Sequence, residues 1–229
     1  MIGPVLLLYG SKARGDARPG SDIDLLLALE GEDLQPPTTT HGVSLHRYPK
    51  GWLEKSARAG TLFSYHVAFE GIALDDPDGF IAHLRGLFQL KASYHDERAL
   101  GARVMRLLLE NDWGPNLAAR QRFFWALRTV LIAASTRIGS PIFAAPALER
   151  LAGVEGVAAL IDDREKAGFE TCQRLGLQVL STLSPENLAE PGGQMLRDRL
   201  MAEGGIARDS VRILEEGEAI ADIGLAIYL

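Results

Sequence analysis

The chain has 229 residues, a mass of 24.9 kDa and a formal charge of −6, room for one large domain or two small ones. At 47% hydrophobic and 24% charged residues its composition is that of a soluble globular protein, which excludes disordered, collagen-like and coiled-coil classes. The acidic balance argues against sequence-independent clamping of nucleic acid, which relies on Lys and Arg to neutralise phosphates, but leaves room for a local basic groove.

The first residues contain an apolar run, PVLLLYG, with no basic segment before it and too few residues to span a bilayer. A soluble, cytoplasmic protein without a membrane partner is therefore expected. That run reads as a first strand ended by Gly10-Ser11, and DIDLLLAL (22–29), introduced by the turn-like ARPGS, reads as a second. A polar connection with two prolines follows, EGEDLQPPTTTHG, and VSLHRYP (43–49) then reads as a third strand. GWLEKSARAGTLFSYHVAFEG is expected to be partly helical, and IAL before DDPDG to be a short strand or turn. From Phe80 the apolar period becomes helical and stays so: 80–94, 97–111, 117–139, 157–183 and 193–216, the last broken near Gly204-Gly205. The expected organisation is α+β, a small mixed sheet with flanking helices over 1–94 and an α-helical bundle over 95–229. Neither part is strongly basic. Cys172 stands alone, so no disulfide framework or cysteine-based zinc site can form within one chain.

The chemically informative segment is Tyr9-Gly10-Ser11-Lys12-Ala13-Arg14-Gly15-Asp16, followed by Ser21-Asp22-Ile23-Asp24-Leu25. Where the first strand ends, a glycine without a side chain lets backbone N–H groups approach an anion closely. A helix beginning there adds its dipole. In the second strand, period-two alternation points Asp22 and Asp24 to one side. Two carboxylates on one face repel each other unless a cation joins them. Hard oxygen ligands beside a phosphate cradle suit Mg²⁺ or Mn²⁺, commonly held by one or two carboxylates plus substrate phosphates.

This arrangement resembles the signature of the DNA polymerase β-like nucleotidyltransferase superfamily: hydrophobic-Gly-[Gly/Ser], a gap of nine to thirteen residues, then Asp-hydrophobic-[Asp/Glu]-hydrophobic. The fuller string GSKARGDARPGSDIDLLL is similar to the minimal nucleotidyltransferase subgroup. Phe69-Glu70-Gly71-Ile72-Ala73-Leu74-Asp75 is similar to the segment that closes the core in many members. The resemblance implies an NTP substrate contacted by Gly10 and Ser11, and divalent metal held by Asp22 and Asp24; Lys12 and Arg14 beside them are open to pairing with the triphosphate or an RNA acceptor, or to a solvated-loop reading. It also implies a third carboxylate on the next strand, where this chain has Ser44. His46, two residues further on the same face, admits two readings: a partly exposed polar residue beside a lost carboxylate, or a general base or metal ligand.

Arg18, Arg47, Lys50, Lys55 and Arg58 are open to a phosphate-binding or a surface-charge reading. Asp75-Asp76-Pro77-Asp78-Gly79 lacks calcium-loop spacing and reads as a turn with a helix cap. Trp125 and Arg128, one turn apart, could face a cleft or serve packing. A ribonuclease of the HEPN type, which needs His after Arg, is disfavoured because no His follows His95.

The function that the resemblance implies is metal-assisted transfer of a nucleoside monophosphate from an NTP to an acceptor hydroxyl. The acceptor would be an RNA or tRNA end or a protein, in a toxin–antitoxin or phage-defence setting. One alternative is an aminoglycoside-type small-molecule transferase. Another is a catalytically impaired, nucleotide-binding pseudo-enzyme acting as a sensor or antitoxin-like regulator.

Overall fold

A computed structural model of the chain describes residues 3–31 and 35–216. Part of the polar connection (32–34) and the end of the expected helical domain (217–229) lie outside the described residues. The described chain separates into two compact units that part between Ala92 and Ser93.

The first unit holds a five-stranded mixed sheet among the described residues, in the order β3-β4-β2-β1-β5. Its strands are β1 (Val5–Tyr9), β2 (Ile23–Leu29), β3 (Gln35–Thr40), β4 (Val43–Pro49) and β5 (Ile72–Asp75). β2 and β4 run parallel and the other neighbours antiparallel. Alternation decides which face is covered: Val5 and Leu7 of β1, Leu26 and Ala28 of β2 and Tyr48 of β4 all point into one core. That core is closed by Leu53 and Ala57 of α2 (Lys50–Arg58), by Phe63 of α3 (Leu62–Tyr65), by Val67 and Ala68 of the π-helical turn His66–Glu70, and by Phe80, Ile81 and Leu84 of α4 (Phe80–Leu87). Asp76 caps α4, its carboxylate accepting the Phe80 and Ile81 N–H groups at 2.7 and 3.1 Å.

The polar connection differs from its sequence reading. Residues 35–40 form edge strand β3, paired antiparallel with β4 through a two-residue turn at His41-Gly42, both at positive φ. Two prolines would spoil a central strand, but an edge strand with an irregular register between Gln35 and Thr38 accommodates them. The helical reading of 80–94 also shortens, because α4 ends at Leu87 and the next helix begins at His95.

The second unit is helical: α5 (His95–Leu109), α6 (Leu117–Ser135), α7 (Ala145–Ala152), α8 (Val157–Asp162), α9 (Phe169–Leu183), α10 (Pro185–Ala189), α11 (Gly193–Glu203) and α12 (Gly205–Glu216). α5 and α6 approach closely at Gly101, where a Cβ would lie 3.1 Å from the Ala126 carbonyl and 3.2 Å from Thr129. Arg106 of α5 donates to the carbonyls of Asn187 and Glu190, and Arg98 to that of Leu183, so two arginines tie down the chain around α10. Trp125 is buried, with the Arg122 guanidinium over its ring at 5.5 Å, so it serves packing. Cys172 is buried, which pushes its thiol up to about 11 and leaves it inert as a nucleophile.

Arg122 is a costly group in this bundle. It is 3% exposed, its Nε and Nη1 have no hydrogen-bond partner among the described residues, and burial pulls its pKa down to about 10 despite Asp209. A depression of that size corresponds to roughly 3 kcal/mol of unfavourable burial of the charge. Replacing a buried, incompletely paired ion with an apolar side chain of similar length removes this cost. Arg122→Met is therefore expected to leave urea-unfolding stability unchanged or raise it by about 1–2 kcal/mol; a loss of more than that would show that the charge is needed for the bundle.

Candidate functional site

Three transverse rows run along the covered face of the sheet, and they grade from apolar to polar. The first is Val5–Ala28–Tyr48, the second Leu7–Leu26–His46, and the third Tyr9–Asp24–Ser44–Thr39. In-register neighbours project to the same side, ~4.8 Å apart. The third row therefore lines up the end of β1, a carboxylate and two hydroxyls, with His46 one row behind.

The turn after β1 carries the tightest contact in the region. Gly10 has φ +77°, and a Cβ there would lie 2.5 Å from Asp24 Oδ2. Only glycine meets both conditions: the left-handed backbone, and a carboxylate lying against the turn. Gly10 starts a single helical turn, α1 (Gly10–Arg14), which ends on Gly15 in the left-handed conformation. The Gly15 and Asp16 N–H groups both return to the Ser11 carbonyl. Asp22 stands one residue before β2. The Ile23 N–H next to it donates to the Gly42 carbonyl at 2.8 Å, and a Cβ on Gly42 would lie 3.8 Å from Asp22 Oδ1. The β3–β4 turn thus sets the position of Asp22.

The other expected residues divide. Ser11 is half-buried in the turn and Lys12 is exposed beside it. Arg14, expected to contact phosphate, pairs with two carboxylates: it meets Asp16 through Nε and Nη2 at 3.3 and 3.2 Å, and Glu70 Oε2 through Nη1 at 3.3 Å. Lys50 is buried, donating to the Gly3 carbonyl at 2.7 Å and lying over the Phe80 ring, and Arg47 donates to Thr38. These two basic residues are fold contacts.

Glu70, His66 and Tyr9 form a set of contacts behind the turn that the sequence did not reveal, although Tyr9 and Glu70 lie in the motif segments. Glu70 Oε2 also meets His66 Nδ1 at 2.5 Å, within the π-helical turn that presents both side chains. The Tyr9 ring lies edge-on between His66 and His46, with centroids at 5.6 and 5.8 Å. The carboxylate–histidine–tyrosine–histidine chain buttresses α1 from behind. A π-bulge in an otherwise α-helical segment is a common sign of such a site, but it has no sequence signature.

The residues present fit a divalent cation only in part. Among the described residues no group of three or more His, Cys, Asp or Glu side chains is arranged to hold a metal. Asp22 and Asp24 are hard ligands, and a Mg²⁺ held by two carboxylates is completed by water and substrate phosphates. The Asp24 carboxylate lies directly against the Gly10 turn, so a cation held by it would sit beside the start of α1. An open recess of about 530 Å³ lined by Arg174, Gln178, Ser181 and Thr182 belongs to the helical unit and shares no residue with this face.

Residues 5–58 match the family model described as "Nucleotidyltransferase domain". A search of curated proteins found no match. Among solved structures, a nucleotidyltransferase-like protein from Exiguobacterium sibiricum 255-15 is 15% identical, over 88% of this chain and 74% of its own, with a TM-score of 0.33. The matched span contains Gly10, Ser11, Asp22, Asp24, Ser44 and His46. No helix among the described residues is long and apolar enough to cross a membrane.

Two expectations follow. Gly10→Ala puts a methyl group into the Asp24 carboxylate on a left-handed backbone, and is expected to cost about 1–3 kcal/mol in urea unfolding and to abolish NTP binding by calorimetry. Unchanged affinity would show that the Gly10–Asp24 approach is not part of the site. Burial lowers the pKa of His46 below the ordinary imidazole value of 6.5. Its folded pKa is depressed, so its contribution to stability is complete above about 6.5 and is lost as pH falls below that value and through the lower folded pKa. An NMR titration of the His46 ring should give a midpoint below 6.5, and a midpoint at or above it would contradict the burial argument.

Proposed function

We propose that this domain transfers a nucleoside monophosphate from an NTP to an acceptor hydroxyl. The observation that carries the reading is the third row of the sheet, in which the Asp24 carboxylate lies against a turn that only glycine can form. Gly10 and Ser11 would receive the triphosphate, Lys12 adds exposed positive charge, and Asp22 and Asp24 would hold Mg²⁺ or Mn²⁺. The bound cation would neutralise phosphate charge and stabilise the attacking and leaving oxygens. Arg14 positions rather than binds: with Asp16 and Glu70 it fixes the end of α1.

The acceptor oxygen forms a bond to the α-phosphorus, the bond from that phosphorus to the bridging oxygen breaks, and pyrophosphate leaves. His46, which burial keeps neutral, is the base within this face that takes the acceptor proton. Most of the rate comes from alignment and charge stabilisation. The acceptors that fit the resemblance are an RNA or tRNA end or a protein hydroxyl in a toxin–antitoxin or phage-defence setting, with an aminoglycoside-like molecule as the small-molecule alternative. The helical region from residue 95 onward would choose among them.

One observation favours a second reading. Ser44 stands beside Asp24 where a third carboxylate would complete the metal site, and the described residues offer no three-ligand group. A nucleotide-binding, catalytically impaired regulator would have this arrangement.

Transfer of α-labelled NTP to a mixture of cellular RNA and protein separates the two. Label transfer that falls about 100-fold or more in Asp22→Asn and in Asp24→Asn supports the transferase. NTP binding without transfer, across both metals and all four bases, would replace it with the regulator.

A further inference from the structure

The row that carries Asp24 ends in two hydroxyls, and the reaction proposed above uses neither. Ser44 is the in-register neighbour of Asp24 on β4, and Thr39 is the neighbour of Ser44 on β3. Their oxygens are 3.2 Å apart, within hydrogen-bonding distance. One strand spacing, ~4.8 Å, separates the Ser44 backbone from that of Asp24, and both side chains leave the same face of the sheet. A phosphate held at Asp24 therefore lies within reach of the Ser44 hydroxyl.

A hydroxyl at this position is chemically different from a carboxylate there. A carboxylate would orient an incoming acceptor, whereas Ser44 presents the functional group of the acceptor itself. Its fixed place on a β-strand gives it the advantage of an intramolecular reactant, since no translational freedom remains to be lost. Thr39 Oγ1 holds the Ser44 oxygen in one orientation. Ser44 is half-buried while Thr39 is exposed, so the β3 edge gives the hydroxyl a path to solvent. The Tyr9 hydroxyl, at the other end of the row, is less suited: the ring is 7% exposed and packed edge-on against His46 and His66.

Resting on the nucleotidyl-transfer reading of this site, we propose that Ser44 is an acceptor and that the protein nucleotidylates itself. The Ser44 Oγ–phosphorus bond forms at the α-phosphate and the bond from that phosphorus to the β-bridging oxygen breaks. Pyrophosphate carries away the electron pair, and the Ser44 proton passes to water at the β3 edge. The product is a serine-linked phosphodiester, with no change of oxidation state. A nucleotide on Ser44 occupies the face that an external acceptor needs, so self-modification and transfer to another molecule compete.

The test uses the full-length protein with Mg²⁺ and each of the four common NTPs in turn, read by intact-mass spectrometry and peptide mapping, with calorimetry of NTP binding alongside. The expected result is a mass increase of one nucleoside monophosphate residue with at least one NTP, mapped to Ser44. It should be absent in Ser44→Ala, whose folding is checked by circular dichroism, retained in Ser44→Thr, and reduced about 100-fold in Asp24→Asn. NTP binding without an adduct, or an adduct that maps elsewhere or survives Ser44→Ala, overturns the self-acceptor role and leaves the transferase reading standing. Failure of the unaltered protein to bind any NTP overturns both.

Discussion

The site depends on a single close approach. Gly10 turns the chain away from β1 in a left-handed conformation, and the Asp24 carboxylate of the neighbouring strand occupies the space that any side chain there would fill. Antiparallel pairing of Tyr9 with Asp24 makes the approach possible, and parallel pairing of Asp24 with Ser44 carries the row onto β4. A slip of one residue in either register would send the carboxylate to the opposite face. The apolar rows behind it, from Val5 to Leu26, hold that register by burying one face of each strand. The same burial that stabilises the sheet therefore aims the carboxylate.

A second constraint acts from behind the turn. Glu70 receives both Arg14 and the buried His66, and His66 meets Tyr9, the residue that precedes Gly10. The turn is thus fixed by a carboxylate pairing on one side and by ring packing on the other. Preorganisation of this kind matters for phosphate chemistry, where misplacement of a reacting group by about 1 Å can cost 100-fold in rate. Arg14 joins this arrangement through its ion pairs with Asp16 and Glu70.

Much of the fold was legible before the coordinates. Strands at PVLLLYG, DIDLLLAL and VSLHRYP follow from alternation and glycine punctuation, and the helical half follows from its period. β3 was hidden because Pro36 and Pro37 argue against a strand, and only its edge position makes them tolerable. The His41-Gly42 dipeptide between TTT and VSL was the available signal for that hairpin. Of the site, Gly10, Ser11, Asp22 and Asp24 were readable as a spaced motif. The contacts of Glu70 and His66 were not, because these residues reach the site from far downstream of β2 through a π-helical turn whose register no local pattern encodes. Thr39 was unreadable for the same reason as its strand.

The central claim is that the Tyr9–Asp24–Ser44 row receives a divalent cation together with an NTP. Paramagnetic broadening of backbone amide signals by Mn²⁺, recorded with and without NTP, measures this directly. Amides of Gly10, Ser11, Asp24 and Ser44 should broaden when Mn²⁺ and NTP are both present, those of Val5 and Ala28 at the far end of the same strands should broaden much less, and Asp24→Asn should abolish the difference. Broadening that is absent, uniform across the sheet, or unaffected by Asp24→Asn would contradict the account.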